Sequence, residues 1–211
     1  MLLGYPSNHN FKTPLGSGER RLHFYERGEE IPLIAQGIWQ VNRGVVQLFK
    51  INPQGEETLL GWSQTGNFFG LWFTNLDHFQ TKALSDVYLQ WFSISEIEDN
   101  PSLAQKILAE TIIRVRQTEE LLAIATLKRV EDKLVKLLTL LGLYLGERKD
   151  DTIKIKVRFT HQNLANAIGT TRVTVTRLLG ELQKQKLISL DSSRHLLLYS
   201  AHFPKLFTSS T

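Results

Sequence analysis

The sequence predicts an α+β chain: an N-terminal β jelly roll, one long helix and a C-terminal winged helix-turn-helix. Three observations predict it. Between about residues 22 and 95, glycines at Gly28, Gly37, Gly44, Gly55, Gly61, Gly66 and Gly70 punctuate short apolar runs, the texture of a β-sandwich or jelly roll. From Pro101 to about Ala125 there is no Gly or Pro, and apolar residues recur three and four apart. Charge then changes sign: residues 1–127 hold 10 Lys and Arg against 14 Asp and Glu, whereas residues 128–211 hold 15 against 7. The expected units are therefore a jelly roll over 1–99, a dimerisation helix and hinge over 100–127, and a winged helix-turn-helix over 128–211.

Within the first unit, Val45 to Ile51 and Glu57 to Trp62 read as a hairpin, with Asn52-Pro53-Gln54-Gly55 as its turn. Trp39, Trp62, Trp72 and Trp91 read as sandwich core. Asn100 is a good N-cap and Pro101 suits the first helical position. The helix that follows carries Leu103, Ile107, Leu108, Ile112, Val115, Leu121 and Leu122, more apolar surface than one small sandwich needs. A second copy of the chain is the simplest partner, and packing on its own domain is the alternative. Past a joint at Lys128-Arg129, "VEDKLVKLLTLLGLYLGE" reads as a helix, "RKDDT" as a polar loop and "IKIKVRF" as a strand.

The stretch "IGTTRVTVTRLL" alternates polar and apolar residues from Thr170 to Arg177, which resembles a strand. Its surroundings favour a helix-turn-helix. Thr160 caps a first helix from about His161 to Ile168, and Gly169 can leave it in the left-handed conformation. Leu164, Ile168, Val175 and Leu178 supply the core between the helices, and Ala165 allows a close crossing. Thr170 or Thr171 caps the second helix, whose Val175, Leu178 and Leu182 face inward. Arg172, Val173, Thr176 and Arg177 then face outward, where arginine reads guanine or clamps phosphate and threonine offers a hydroxyl and a methyl group. The candidate double-stranded-DNA contacts are Thr160, His161, Thr170, Thr171, Arg172, Val173, Thr174, Thr176, Arg177, Lys184 and, at the tip of a closing hairpin over 187–199, Arg194.

"FTHQNLANAIGTTRVTVTRLLGEL", together with "RGVVQLFKINPQGEETLLGWSQTGNFFG", resembles the Crp/Fnr family of bacterial transcription regulators over nearly the whole chain. The "TRVTVTRLLG" wording is most similar to that family's NtcA-like nitrogen-control branch. The resemblance implies a cyclic-nucleotide-binding-type jelly roll and a homodimer on a near-palindromic operator. It also implies contact with RNA polymerase, activation of transcription, and Arg172, Val173 and Arg177 at base-reading positions. Where some relatives carry glutamate this chain has Val173, so the half-site differs from the cyclic-AMP receptor's, and a GTA-type half-site is implied. A small protein co-regulator is a further expected partner.

The effector pocket departs from the pattern. Around Phe69, Gly70, Leu71 and Trp72 there is no glutamate after "FG", Gln80-Thr81 stands where an Arg-Ser pair is expected, and no arginine lies between Arg43 and Arg114. A cyclic phosphate there would lack its guanidinium, so cyclic AMP is not expected to bind. Arg114 and Glu119 match positions that hold 2-oxoglutarate in the nitrogen-control branch, but the jelly-roll arginine that completes that site is replaced near Asp77-His78. Arg114 and Glu119 therefore read as ordinary solvated or inter-subunit residues, with a 2-oxoglutarate-responsive regulator as the alternative.

Composition excludes several other classes. Cysteine is absent, which removes disulfides, thiolate metal sites, cysteine nucleophiles and cysteine-ligated iron–sulfur clusters. His9, His23, His78, His161, His195 and His202 are scattered without metal-ligand spacing, so neither a metal site nor a jelly-roll oxygenase is expected, and no catalytic residue is nominated. No run of 18 apolar residues occurs and "MLLGYPSNHNFK" lacks a basic leader, so a cytoplasmic protein without a membrane span is expected. A sensor or adaptor that no longer binds DNA remains the rival, and the basic half carrying Arg172 and Arg177 argues against it.

Overall fold

A computed structural model describes residues 21–203; His9, the N-terminal stretch read above and the C-terminal tail lie outside the described residues. Seven strands form the N-terminal sandwich: β1 Leu22–Tyr25, β2 Gly37–Arg43, β3 Val45–Ile51, β4 Glu57–Gln64, β5 Phe68–Phe69, β6 Phe79–Ala83 and β7 Val87–Ser93. They make two antiparallel sheets, ordered β1-β7-β2-β5 and β4-β3-β6. Alternation sends Val46 and Leu48 of β3, with Phe79 and Ala83 of β6, into the core between the sheets beside Trp39, Phe69 and Leu89. The expected hairpin turn is present, with the Gly55 amide donating to the Asn52 carbonyl at 2.9 Å.

A short helix, α1 Ile94–Glu98, was not expected; Ser93 and Glu96 build a capping box at its start. Helix α2 runs Pro101–Ala125, with the Asn100 side chain accepting from the Leu103 amide. It buries only a narrow strip, Ile107, Gln117, Leu121 and Ile124, on its own chain. Leu108, Ile112, Ile113, Val115 and Leu122 are exposed.

The C-terminal unit comprises α3 Val130–Leu145, β8 Gly146–Lys149, β9 Thr152–Ile155, α4 His161–Ile168, α5 Arg172–Lys184, β10 Ile188–Leu190 and β11 Leu196–Tyr199. Two boundaries differ from expectation. Gly146 and Glu147 leave the helix, and with Arg148 and Lys149 they pair with β9, so only Asp150 and Asp151 turn the chain. A Cβ on Gly146 would lie 2.1 Å from the Gly142 carbonyl oxygen, which is why the chain can switch from helix to strand so abruptly there. The strand in "IKIKVRF" ends at Ile155, although Val157 beyond it is still buried.

The two units share a core. Val45, Trp62 and Leu84 from the outer face of the β4-β3-β6 sheet pack with Leu121 and Ile124 of α2 and with Leu137, Leu141 and Leu164 of the C-terminal unit. Trp62 meets Phe159 edge to face, with ring centroids 6.2 Å apart. Polar contacts flank the seam: Asn166 donates to Glu57 at 3.2 Å, and the Arg27 guanidinium donates to the Arg158 carbonyl at 3.0 Å. Two tryptophans correct the sandwich-core reading: Trp72 is 51% exposed on the 3-10 turn Leu71–Phe73, and Trp62 packs in the core shared with the C-terminal unit rather than between the sheets. Phe69 and, in part, Leu71 of the Trp72 segment face the inter-sheet core, and Trp72 does not.

Candidate nucleic-acid interface

The strand-like stretch is a helix. Thr160 caps α4 in a capping box with Asn163, the Asn163 amide donating to the Thr160 hydroxyl at 3.0 Å. Gly169 ends α4 with φ 64 and ψ 51, and the Thr170 amide returns to the Ala165 carbonyl at 3.0 Å. Thr171, rather than Thr170, caps α5, accepting from the Thr174 amide at 3.2 Å. The hydroxyls of Thr171 and Thr174 lie 2.9 Å apart. Leu164, Ala165 and Ile168 of α4 and Val175, Leu178, Leu179 and Leu182 of α5 are all buried. Packing of this face outweighs the low helix propensity of Val and Thr.

The opposite face of α5 is bare. Arg172, Val173, Thr176 and Arg177 are exposed, Val173 by 79%, and Lys184 is exposed in the last turn. Thr176 donates its hydroxyl to the Arg172 carbonyl at 2.8 Å. That leaves its oxygen to accept from His161 Nδ1, 2.7 Å away, so the bond joins the starts of both helices and holds His161 on the same surface. The Arg177 guanidinium lies 2.5 Å from the Glu181 carboxylate one turn on. A basic face with its side chains tied at the root can meet a phosphate backbone and base edges together.

The wing is built as expected, and Asp191 organises it. Its carboxylate accepts from Lys154 Nζ at 2.7 Å and from the His195 amide at 2.8 Å. These two bonds, Lys154 first, hold its carboxyl well below the usual carboxylate range. Arg194 sits exposed at the tip with φ 62, its amide bonded to the Asp191 carbonyl at 2.9 Å. The Asp191 clip was not read from the sequence. An acid opening a four-residue turn, Asp191-Ser192-Ser193-Arg194, was its signal.

The candidate effector residues do not form one pocket. Phe69 and Gly70 are buried in the sandwich, Leu71 is partly buried and Trp72 points outward. Arg114 corrects the solvated reading: its guanidinium lies 5.7 Å from the Phe73 ring and 5.9 Å from the Phe79 ring, and Nη1 is buried without a hydrogen-bond partner. Burial lowers its basicity. Glu119 is exposed on a different face of α2, five residues from Arg114 and so about 140° around the helix. The cleft beside Arg114 is narrow, with room for about one water molecule, and is lined instead by Trp62, Asn67, Glu110 and Gln117, among others. Asn67 donates to Glu110 there, and Gln117 accepts from the Trp62 amide at 2.7 Å. None of these was legible as a set, because β4 and α2 meet only in the fold. Among the described residues no three His, Asp or Glu side chains cluster as a metal site, and no helix is long and apolar enough to cross a membrane.

Residues 132–200 match the Crp-like helix-turn-helix domain family. The global nitrogen regulator of Synechococcus elongatus is 32% identical over 195 residues, covering 85% of this chain and 87% of its own length. The regulatory protein CysR of the same organism is 32% identical over 175 residues, 82% of this chain and 81% of its own length. In fold, the chain is similar to a transcriptional regulator of the CRP/FNR family from Thermus thermophilus, with a TM-score of 0.69 at 21% identity over 90% of this chain and all of that one. A cyclic nucleotide-binding domain containing protein from Listeria monocytogenes gives a TM-score of 0.74 at 14% identity, over 86% and 90% of the two chains. With the solvent-facing recognition helix and the wing beside it, these likenesses place the chain in the Crp/Fnr family of DNA-binding transcription regulators.

Proposed function

We propose that the chain acts as a homodimer on a near-palindromic operator, with Arg172, Val173 and Arg177 at base edges of each half-site. Thr160, His161, Thr170, Thr171, Thr174, Thr176, Lys184 and Arg194 lie around them as phosphate contacts. The observation that carries this is the bare face of α5, where a 79% exposed Val173 stands between two exposed arginines. An apolar side chain held in water at that position gains by meeting a thymine methyl. The dimer is supported by α2, whose exposed Leu108, Ile112, Val115 and Leu122 fall at the four-three spacing of a coiled-coil seam. Two such copies set two recognition helices one helical turn of DNA apart. Recruitment of RNA polymerase, activation of transcription and action with a small protein co-regulator belong to the same reading.

Band-shift titration of a duplex selected by the wild-type protein tests it. Arg172→Ala and Arg177→Ala each cost about 1–3 kcal/mol of binding and relax selection at one base pair per half-site. Retained selectivity in both variants sinks the assignment.

Against cyclic AMP stands Thr81, which is buried with its hydroxyl given to the Ile31 carbonyl at 2.9 Å rather than free for a phosphate. One observation favours a different small anion, the buried and unpartnered Nη1 of Arg114. An unpaired cation in an aromatic setting is costly, and a carboxylate such as that of 2-oxoglutarate would offset the cost. Arg114→Met separates the cases. In a regulator without an effector it raises stability by about 1 kcal/mol or more and leaves DNA binding as before. In a 2-oxoglutarate-responsive regulator it abolishes the change in DNA affinity that added 2-oxoglutarate produces.

A further inference from the structure

Glu181 has no part in the base-reading scheme above, yet it touches one of its readers. It lies on α5 four residues after Arg177, and its Oε1 takes a hydrogen bond from Arg177 Nη1 at 2.5 Å. The two side chains remain 43% and 61% exposed, so the contact is not a by-product of core packing. An exposed pair at this spacing adds little stability to a helix. Its consequence lies in geometry. A guanidinium has two edges able to bond bidentately, one formed by Nη1 with Nη2 and one by Nε with Nη2. Glu181 engages Nη1, which leaves the Nε and Nη2 edge to another acceptor, on a residue that is exposed like Val173 and Thr176.

We infer that Glu181 is a positioning residue for sequence recognition: it orients Arg177 so that its Nε and Nη2 edge meets the O6 and N7 of one guanine per half-site. The inference rests on the DNA-binding reading and adds a residue to it. The carboxylate also has a second effect. It offsets the charge of Arg177 toward any phosphate nearby, so non-specific attachment is weakened while the specific contact is kept. Selectivity gains on both counts. The Arg177 side chain is 61% exposed, so packing does not fix its guanidinium instead.

The test uses the full chain and two probes: a duplex selected by the wild-type protein from a randomised pool, and a scrambled duplex of equal length. Glu181→Ala is expected to lower the ratio of the two affinities about tenfold, within the range for one bidentate base contact. The loss should fall on one base pair per half-site, with the scrambled duplex bound more tightly than before. Glu181→Gln, which keeps an acceptor oxygen, restores most of the base preference but not the weak non-specific binding. In an Arg177→Ala background, Glu181→Ala changes base preference no further. The inference is overturned if Glu181→Ala leaves the ratio unchanged, or if it weakens every base position equally along with thermal stability. A wild-type protein that selects no sequence at all overturns the DNA-binding reading itself, a different outcome from either.

Discussion

Replacing Trp62 with alanine cuts the seam between the jelly roll and the helix-turn-helix. Trp62 is 4% exposed, packs edge to face on Phe159, and lies in the core that also takes in Leu137, Leu141 and Leu164. Trp62→Ala removes about 140 Å³ of side chain, and deletions of this kind in a rigid core cost about 3–5 kcal/mol. Partial closure of the seam around the gap puts the expected cost near the lower end, about 3 kcal/mol. That sum is borne by the interface, not by either unit's own core. Trp62→Ala should therefore split one cooperative unfolding transition into two, with the C-terminal unit remaining folded after the jelly roll melts, or the reverse. Urea titration followed both by far-ultraviolet circular dichroism and by fluorescence of the remaining tryptophans reads this directly. A single transition at an unchanged midpoint would refute the shared core.

Gly180→Ala should act with opposite signs on two properties. Its Cβ meets nothing within 4 Å, so the exchange stabilises α5 by about 0.5–1 kcal/mol, while the added methyl on the DNA face weakens operator binding; thermal melting and band shifts check the two arms. Gly61→Ala should destabilise by about 2 kcal/mol, because φ is +146 and the new Cβ would lie 2.3 Å from Gln117 Oε1, displacing the acceptor of the Trp62 amide; denaturant midpoints measure it. Glu119→Leu should tighten a dimer by about tenfold in sedimentation equilibrium, since Glu119 falls in register with Leu108, Ile112, Val115 and Leu122 and a charge on such a seam costs association. The Asp191 clip should hold above about pH 4, where an unfolded aspartate is already ionised, and loosen only as pH falls below that toward its depressed folded value. The His195 amide resonance, followed from pH 6 downward, should stay protected through pH 4, and early exchange there would contradict the depressed value.

Legibility in the sequence followed the range of the interaction that made each feature. The hairpin at Asn52-Gly55, the Asn100 cap, the Thr160 cap and the left-handed Gly169 are each decided within four or five residues, and all were readable. The helix is legible through Leu145, but the switch to strand at Gly146 depends on β9 pairing beside it, which local pattern does not encode. The exposure of Trp72 is not legible, because aromatic character alone does not say which of two neighbouring rings, Phe69 or Trp72, faces inward. The burial of Arg114 escapes the sequence for a similar reason. On α2 it looks like a surface arginine, and only the approach of Phe73 and Phe79 from the sandwich desolvates it.

A chain of contacts runs from α2 to the helix-turn-helix. Gln117 of α2 accepts from the backbone of Trp62, and the indole of Trp62 lies against Phe159, which directly precedes the Thr160 cap of the helix-turn-helix. Arg114 lies one turn before Gln117 on α2, lining the same cleft. Any occupant that draws the Arg114 guanidinium toward itself acts on a helix whose next buried polar side chain holds the seam. Packed cores resist continuous deformation, so a strained Gln117 bond favours a discrete change of seating at Trp62 and Phe159 over gradual tilting. The loop between β9 and α4 is short, and Phe159 stands directly before the Thr160 cap, whose helix is bonded to α5 through His161 and Thr176. Combining Gln117→Leu with Trp62→Ala would then show strong non-additivity in operator affinity, as expected when two residues act through one element.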